Sequence, residues 1–124
     1  MTGPVEFAAR IAQLFSAEAL PEGDPRVTEL LDEEGFVYPE RSALNLRLLE
    51  PVFLPEMLGE IAHASLNTPF PDMALNGLER ISSVAAHEDL VAVCGKRERL
   101  AQLLNICGSS SFLTVVLCRN PSYF

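Results

Sequence analysis

Apolar residues recur at three- and four-residue spacing in segment after segment of this chain, and no window of useful length alternates apolar and polar at a spacing of two. Such a pattern suits amphipathic helices laid against one another and denies a sheet its one-sided strands. Proline supplies the punctuation. Pro4 suits a first helical turn, and Phe7, Ile11, Leu14 and Phe15 then mark one face of a helix expected to run through Leu20. Pro21-Glu22-Gly23 is expected to end it, with Asp24 capping the next helix and Pro25 in its first position. Val27, Leu30 and Leu31 give that second helix a short stripe that stops at Gly35.

Pro39 is expected to open a third helix through Ser42, Leu44, Leu46, Leu48 and Leu49, with Pro51 and Pro55 forcing a new start. Leu54, Met57, Leu58 and Ile61 form a fourth stripe, and the segment Asn67 to Pro71 is too rich in proline to continue it. From Asp72 the sequence predicts three short helices: one through Leu75, Leu78 and Ile81, one through Leu100, Leu103, Leu104 and Ile106, and one opened by Gly108-Ser109-Ser110. The best strand candidate, Phe112 to Leu117, follows a helix-capping run and reads as helix. The expected fold is an all-α bundle of six or seven short helices. It forms a single helical domain over residues 1–124, with 1–71 as an acidic lead-in to 72–121.

Charge narrows the choice of partners. The net charge is -8, and residues 1–62 hold twelve acids against four arginines, whereas residues 63–124 hold five acids and five bases. Such a balance argues against a nucleic-acid surface, which needs clustered cations to neutralise phosphate. Neither a signal-peptide pattern nor an apolar run long enough for a bilayer is present, so a soluble, cytoplasmic protein is expected. Cys94, Cys107 and Cys118 lack paired spacing and sit among aliphatic residues, which suits reduced, buried thiols.

Chemistry-bearing patterns are sparse. Glu60-x-x-His63 has the spacing of a di-iron ligand pair but has no second copy, because Val84 stands where His87 would need its glutamate. Cys94 precedes Gly95, Lys96 and Arg97, whose cations favour a thiolate, although no base and orienting third group accompany it. Gly108-Ser109-Ser110 is the one local candidate for a phosphate cradle, but no lysine follows at P-loop spacing. Lys96, Arg97 and Arg99 form a basic cluster at an expected helix start, where the macrodipole disfavours cations, which marks it as a candidate protein-binding corner.

One set of residues carries a family likeness. Ala74-Leu75-Asn76-Gly77-Leu78-Glu79-Arg80, the run Leu100 to Leu104, Gly108-Ser109-Ser110-Ser111-Phe112-Leu113, and Leu117 with Arg119-Asn120-Pro121 together resemble a helical segment near the amino terminus of the glutamine synthetase adenylyltransferase/adenylyl-removing family. The likeness covers about fifty residues and does not extend before Asp72. Gly77 departs from the family pattern and is expected to weaken its helix slightly.

The resemblance implies a parent that moves AMP from ATP onto a glutamine synthetase tyrosine and removes it by phosphorolysis, with magnesium and under a signalling protein of nitrogen status. Family catalysis rests on a Gly-Ser or Gly-Gly turn followed by an Asp-x-Asp or Asp-x-Glu pair on a strand. No aspartate follows Gly108-Ser109, and Asp32-Glu33-Glu34 lacks the strand. No catalytic, cofactor-binding or metal residue is therefore assigned to this chain. It is expected to be a non-catalytic fragment of a longer product, with ATP and magnesium belonging to the parent alone. Glu79 and Arg80 have no local role and are expected at an interface with the nucleotidyltransferase core, and Lys96, Arg97 and Arg99 are the other candidate interface residues. The alternative is a self-contained helical protein–protein interaction module.

Overall fold

The computed structural model describes residues 4–16 and 24–120. Eight helices lie within them: α1 (Pro4–Ser16), α2 (Pro25–Glu34), α3 (Pro39–Leu49), α4 (Pro55–Ser65), α5 (Pro71–Ser82), α6 (His87–Cys94), α7 (Arg97–Cys107) and α8 (Ser111–Arg119). The fold is all-α, as the periodicity predicts, with a larger count than six or seven. The additional helix is α6, so the stretch from Asp72 holds four helices instead of three. Its apolar stripe is short, with only Leu90 and Cys94 buried, and a two-turn helix shows too few repeats for periodicity to register. The expected extension of α1 to Leu20 and its stop at Pro21-Glu22-Gly23 fall outside the described residues.

Each of the first five helices starts at a proline, where the missing N–H costs nothing because that donor has no intrahelical acceptor. The stops are local as well. Asp24 caps α2 by accepting from the Arg26 amide at 2.8 Å, and its carboxylate also meets the Arg26 guanidinium at 2.7 Å. Those Arg26 hydrogen bonds hold the Asp24 carboxyl below its ordinary range. Gly35 ends α2 at φ 112°, a left-handed conformation that favours glycine.

Helix α5 is the centre of the bundle. Ala74, Leu75, Leu78 and Ile81 are fully buried, and α3, α4, α7 and α8 all pack on it. Helix α1 lies on α4, and α2 lies on α3. Glycines set two of these crossings. Gly59 of α4 meets the Ala8 carbonyl of α1 so closely that no Cβ fits, and a Cβ on Gly77 of α5 would stand 2.7 Å from Cys107 Cβ and 3.3 Å from Thr114 Cγ2. Gly77 thus lets α5, α7 and α8 converge. The weakening expected from its helix propensity is secondary to that close approach.

Two other expectations require correction. In α3 the buried face is Ser42, Asn45, Leu46 and Leu49, while Leu44 and Leu48 point outward. The leucines at 44, 46 and 48 are two residues apart and cannot share one helical face. Leu54 likewise leaves the fourth stripe, because it sits at the N-cap of α4 and is 75% exposed.

Candidate functional site

Asp72 accepts hydrogen bonds from three different residues, which ties it to more partners than any other side chain among the described residues. From the first turn of α5 it accepts the backbone N–H of Val37 at 2.8 Å, that of Tyr38 at 3.0 Å, and the Ser42 hydroxyl at 2.7 Å. Tyr38, at the N-cap of α3, makes no side-chain cap hydrogen bond, and Asp72 on another helix instead holds the two amides that lead into α3. Arg41 donates to Asn76 Oδ1 at 3.3 Å further along the same α3–α5 seam. Phe70, just before α5, donates its N–H to the Gly108 carbonyl at 3.1 Å. Large apolar side chains stand open around these links: Val37 is 72% exposed, Tyr38 68%, Phe70 61% and Phe112 74%. Open aromatic surface of this kind is where protein partners dock.

On another side of the bundle, α4 forms the floor of a groove of about 830 Å³ rimmed by α1 and by the α6–α7 corner. Glu56, Glu60 and His63 run along that floor at spacings of four and three, which places them on one stripe of α4, and Asn67 follows just beyond the helix end at Ser65. Ala8, Ala9 and Ala12 line one rim; Arg97, Leu100 and Ala101 line the other. The ion pairs among the described residues are Arg26–Asp24 and Arg47–Glu50, so Glu56, Glu60 and Arg97 face the groove without a charge partner. His63 Nδ1 is covered and accepts no hydrogen bond.

The candidate residues from the sequence divide between these faces. Lys96, Arg97 and Arg99 are all exposed at the α6–α7 corner, with Lys96 at the N-cap and α7 beginning at Arg97. Arg97 alone of the three lines the groove. Glu79 is half-buried and Arg80 exposed on α5, and Arg80 lies near Cys107, whose thiol its charge slightly favours as a thiolate. No hydrogen bond or ion pair among the described residues joins Glu79 and Arg80 to the basic corner.

Burial removes the cysteine chemistry. Desolvation pushes the Cys94 thiol up to about 12, with Cys107 adding to the shift, and pushes Cys107 up to about 11. The cations after Cys94 project from an exposed turn and do not offset this. The cradle reading of Gly108-Ser109-Ser110 fails on its amides. Gly108 N–H donates to Leu104 O at 2.7 Å, Ser109 N–H and Ser110 N–H both go to Ile106 O, and Leu113 N–H goes to the Ser110 hydroxyl. Gly108 has an ordinary φ of -83°, so its glycine is needed for space: a Cβ there would meet Thr68 Cβ at 2.7 Å. Ser110 caps α8, as expected of the serine run.

No group of three or more His, Cys, Asp or Glu is placed to hold a metal ion among the described residues. Asp32-Glu33-Glu34 form the last residues of α2, on a helix and not on the strand that family catalysis uses.

No family model, curated protein or solved structure matches this chain. Its function is therefore read from its own residues.

The groove and the aromatic edge were not among the sequence candidates. The sequence signal for the groove is the stripe Glu56, Glu60 and His63 on α4, of which the Glu60–His63 pair has the spacing of a metal motif. The aromatic edge had no sequence signal, because Val37, Tyr38 and Phe70 read as ordinary apolar residues until the tertiary links around Asp72 place them outside.

Proposed function

We propose that this chain is a non-catalytic helical segment of a glutamine synthetase adenylyltransferase-like protein, and that its work is to position a nucleotidyltransferase core by surface contact. The observation that supports the reading is that the helices carrying the likeness, α5, α7 and α8, pack on one another, with Gly77 of α5 set close against Cys107 and Thr114. The exposed Tyr38, Phe70 and Phe112 supply a surface of the kind that docks on a larger body. In this reading ATP and magnesium act on the core, the partners are glutamine synthetase and a nitrogen-status signalling protein, and the setting is cytoplasmic. No single helix among the described residues is long and apolar enough to cross a membrane.

The test has two arms. Incubated with ATP, magnesium and glutamine synthetase, the chain alone should transfer no AMP; transfer would overturn the non-catalytic assignment. Mixed with a separately produced adenylyltransferase core, it should bind, and Phe70→Ser with Phe112→Ser should weaken that binding. Absence of binding would overturn the positioning role.

A second reading, a self-contained interaction module, draws on the same exposed edge. Reading the gene past Phe124 separates the two. A Gly-Ser turn followed by an Asp-x-Asp strand supports the first, and an immediate stop codon supports the second.

A further inference from the structure

The geometry points to the α1–α4–α7 groove as a docking site for a partner α-helix that carries two cations one turn apart on a small apolar face. This goes beyond the positioning role and does not depend on the adenylyltransferase reading, since a stand-alone module would use the groove in the same way.

Shape is the first consideration. The floor is one face of α4 from Glu56 to Ala64, eight residues on, which at a rise of about 1.5 Å per residue spans roughly 12 Å, or about two helical turns. Helices α1 and α7 both pack on α4 and rise on either side of that face. Side chains at the rims are short: Ala8 and Ala12 lie one turn apart on α1, and Ala101 faces them from α7. Short rims let a helix settle to the interaxial distance of about 8–10 Å found between packed helices. An occupant there would complete a four-helix arrangement with α1, α4 and α7.

Charge decides what that helix carries. Glu56 and Glu60 stand one turn apart on the floor, exposed and without an ion-pair partner among the described residues. Two like charges at this spacing repel each other, so the empty groove holds an unfavourable pair that a cationic partner relieves. A helix lying along α4 with Lys or Arg at positions i and i+4 places one cation near each carboxylate. Arg97, equally unpaired on the opposite rim, selects an acidic residue on the partner's flank. Met57, Ala64 and Leu100 meet the apolar face between them, with methionine adapting to the shape of its guest.

The test is selection from a displayed library of amphipathic helical peptides of about twelve residues, long enough to cover the whole floor. Enriched sequences should carry Lys or Arg at i and i+4. Binding of the best peptide should weaken about fivefold or more in Glu56→Gln/Glu60→Gln and fall as salt is raised. Ala101→Trp, on an exposed rim residue, should abolish binding while the circular dichroism spectrum stays helical. Selection of no peptide, of peptides without the cation pair, or of peptides unaffected by both variants would overturn the proposal. Selection of peptides that lose binding on Phe70→Ser instead would place docking at the aromatic edge and overturn it equally.

Discussion

The Ser42 hydroxyl on α3 donates across 2.7 Å to the Asp72 carboxylate on α5, thirty residues later in the chain. The same carboxylate takes the Val37 and Tyr38 amides, so one side chain closes the start of α3 and locks two helices in register. Replacing Asp72 with Ala should cost about 2–3 kcal/mol, because hydrogen bonds to a charged acceptor are among the stronger ones and two of these satisfy the backbone amides that lead into α3. Asp72→Asn keeps one acceptor oxygen and should lose about half as much. Urea midpoints of the three proteins would check the order, and equal midpoints would show that water satisfies those amides as well as Asp72 does.

Glycine is required for different reasons at Gly59 and Gly35. A Cβ at Gly59 would collide with the Ala8 carbonyl, a rigid backbone atom, whereas at Gly35 nothing lies within 4 Å but φ is +112°. Gly59→Ala should therefore cost about 3 kcal/mol through overpacking, despite a helix-propensity gain near 1 kcal/mol. Its hydrogen-exchange signature should be local, with α1 amides losing protection while α5 amides keep theirs. Gly35→Ala should cost about 1–2 kcal/mol without detaching any helix.

Asn45 is fully buried on α3, and neither its amide nitrogen nor its amide oxygen has a hydrogen-bond partner. Removing such a group, while keeping its branched shape, should help. Asn45→Leu is expected to stabilise the fold by about 1–3 kcal/mol, the desolvation cost of an unsatisfied polar group. Thermal melts would show this as a raised midpoint; a lowered one would mean that the amide has a partner, such as an internal water.

The cysteines set the behaviour at high pH. Both buried thiols have folded-state values raised above the ordinary 9.0, to about 12 for Cys94 and about 11 for Cys107. Between those limits the folded state binds more protons than the unfolded state, so stability falls as pH rises. The stabilisation is complete below about pH 9 and is lost progressively from there through about pH 11 and 12. Cys94→Ala should flatten part of that decline. At pH 8 a thiol reagent should label half-buried Cys118 first, with Cys94 and Cys107 reacting only on unfolding.

Much of this protein follows from local rules alone. Proline at five helix starts, Asp24 and Ser110 as caps, and Gly35 as a stop are each decided within a few residues, because capping and φ restriction act over one turn. Core positions in α1, α2, α5 and α7 follow from their period for a similar reason: a helix can hide only one face.

Tertiary structure decided the rest. Which of Leu44, Leu46 and Leu48 turns inward depends on where α5 lies, and that Asp72 holds the start of α3 depends on a contact thirty residues away in sequence. Gly59, Gly77 and Gly108 look alike as letters, yet each is held by a different neighbour: Ala8, Cys107 or Thr68. The groove exists only because α1 and α7 pack on the same helix and leave one face of it between them. Periodicity assigns a residue to a face of its own helix, and only the packing of other helices determines whether that face is core, seam or open groove.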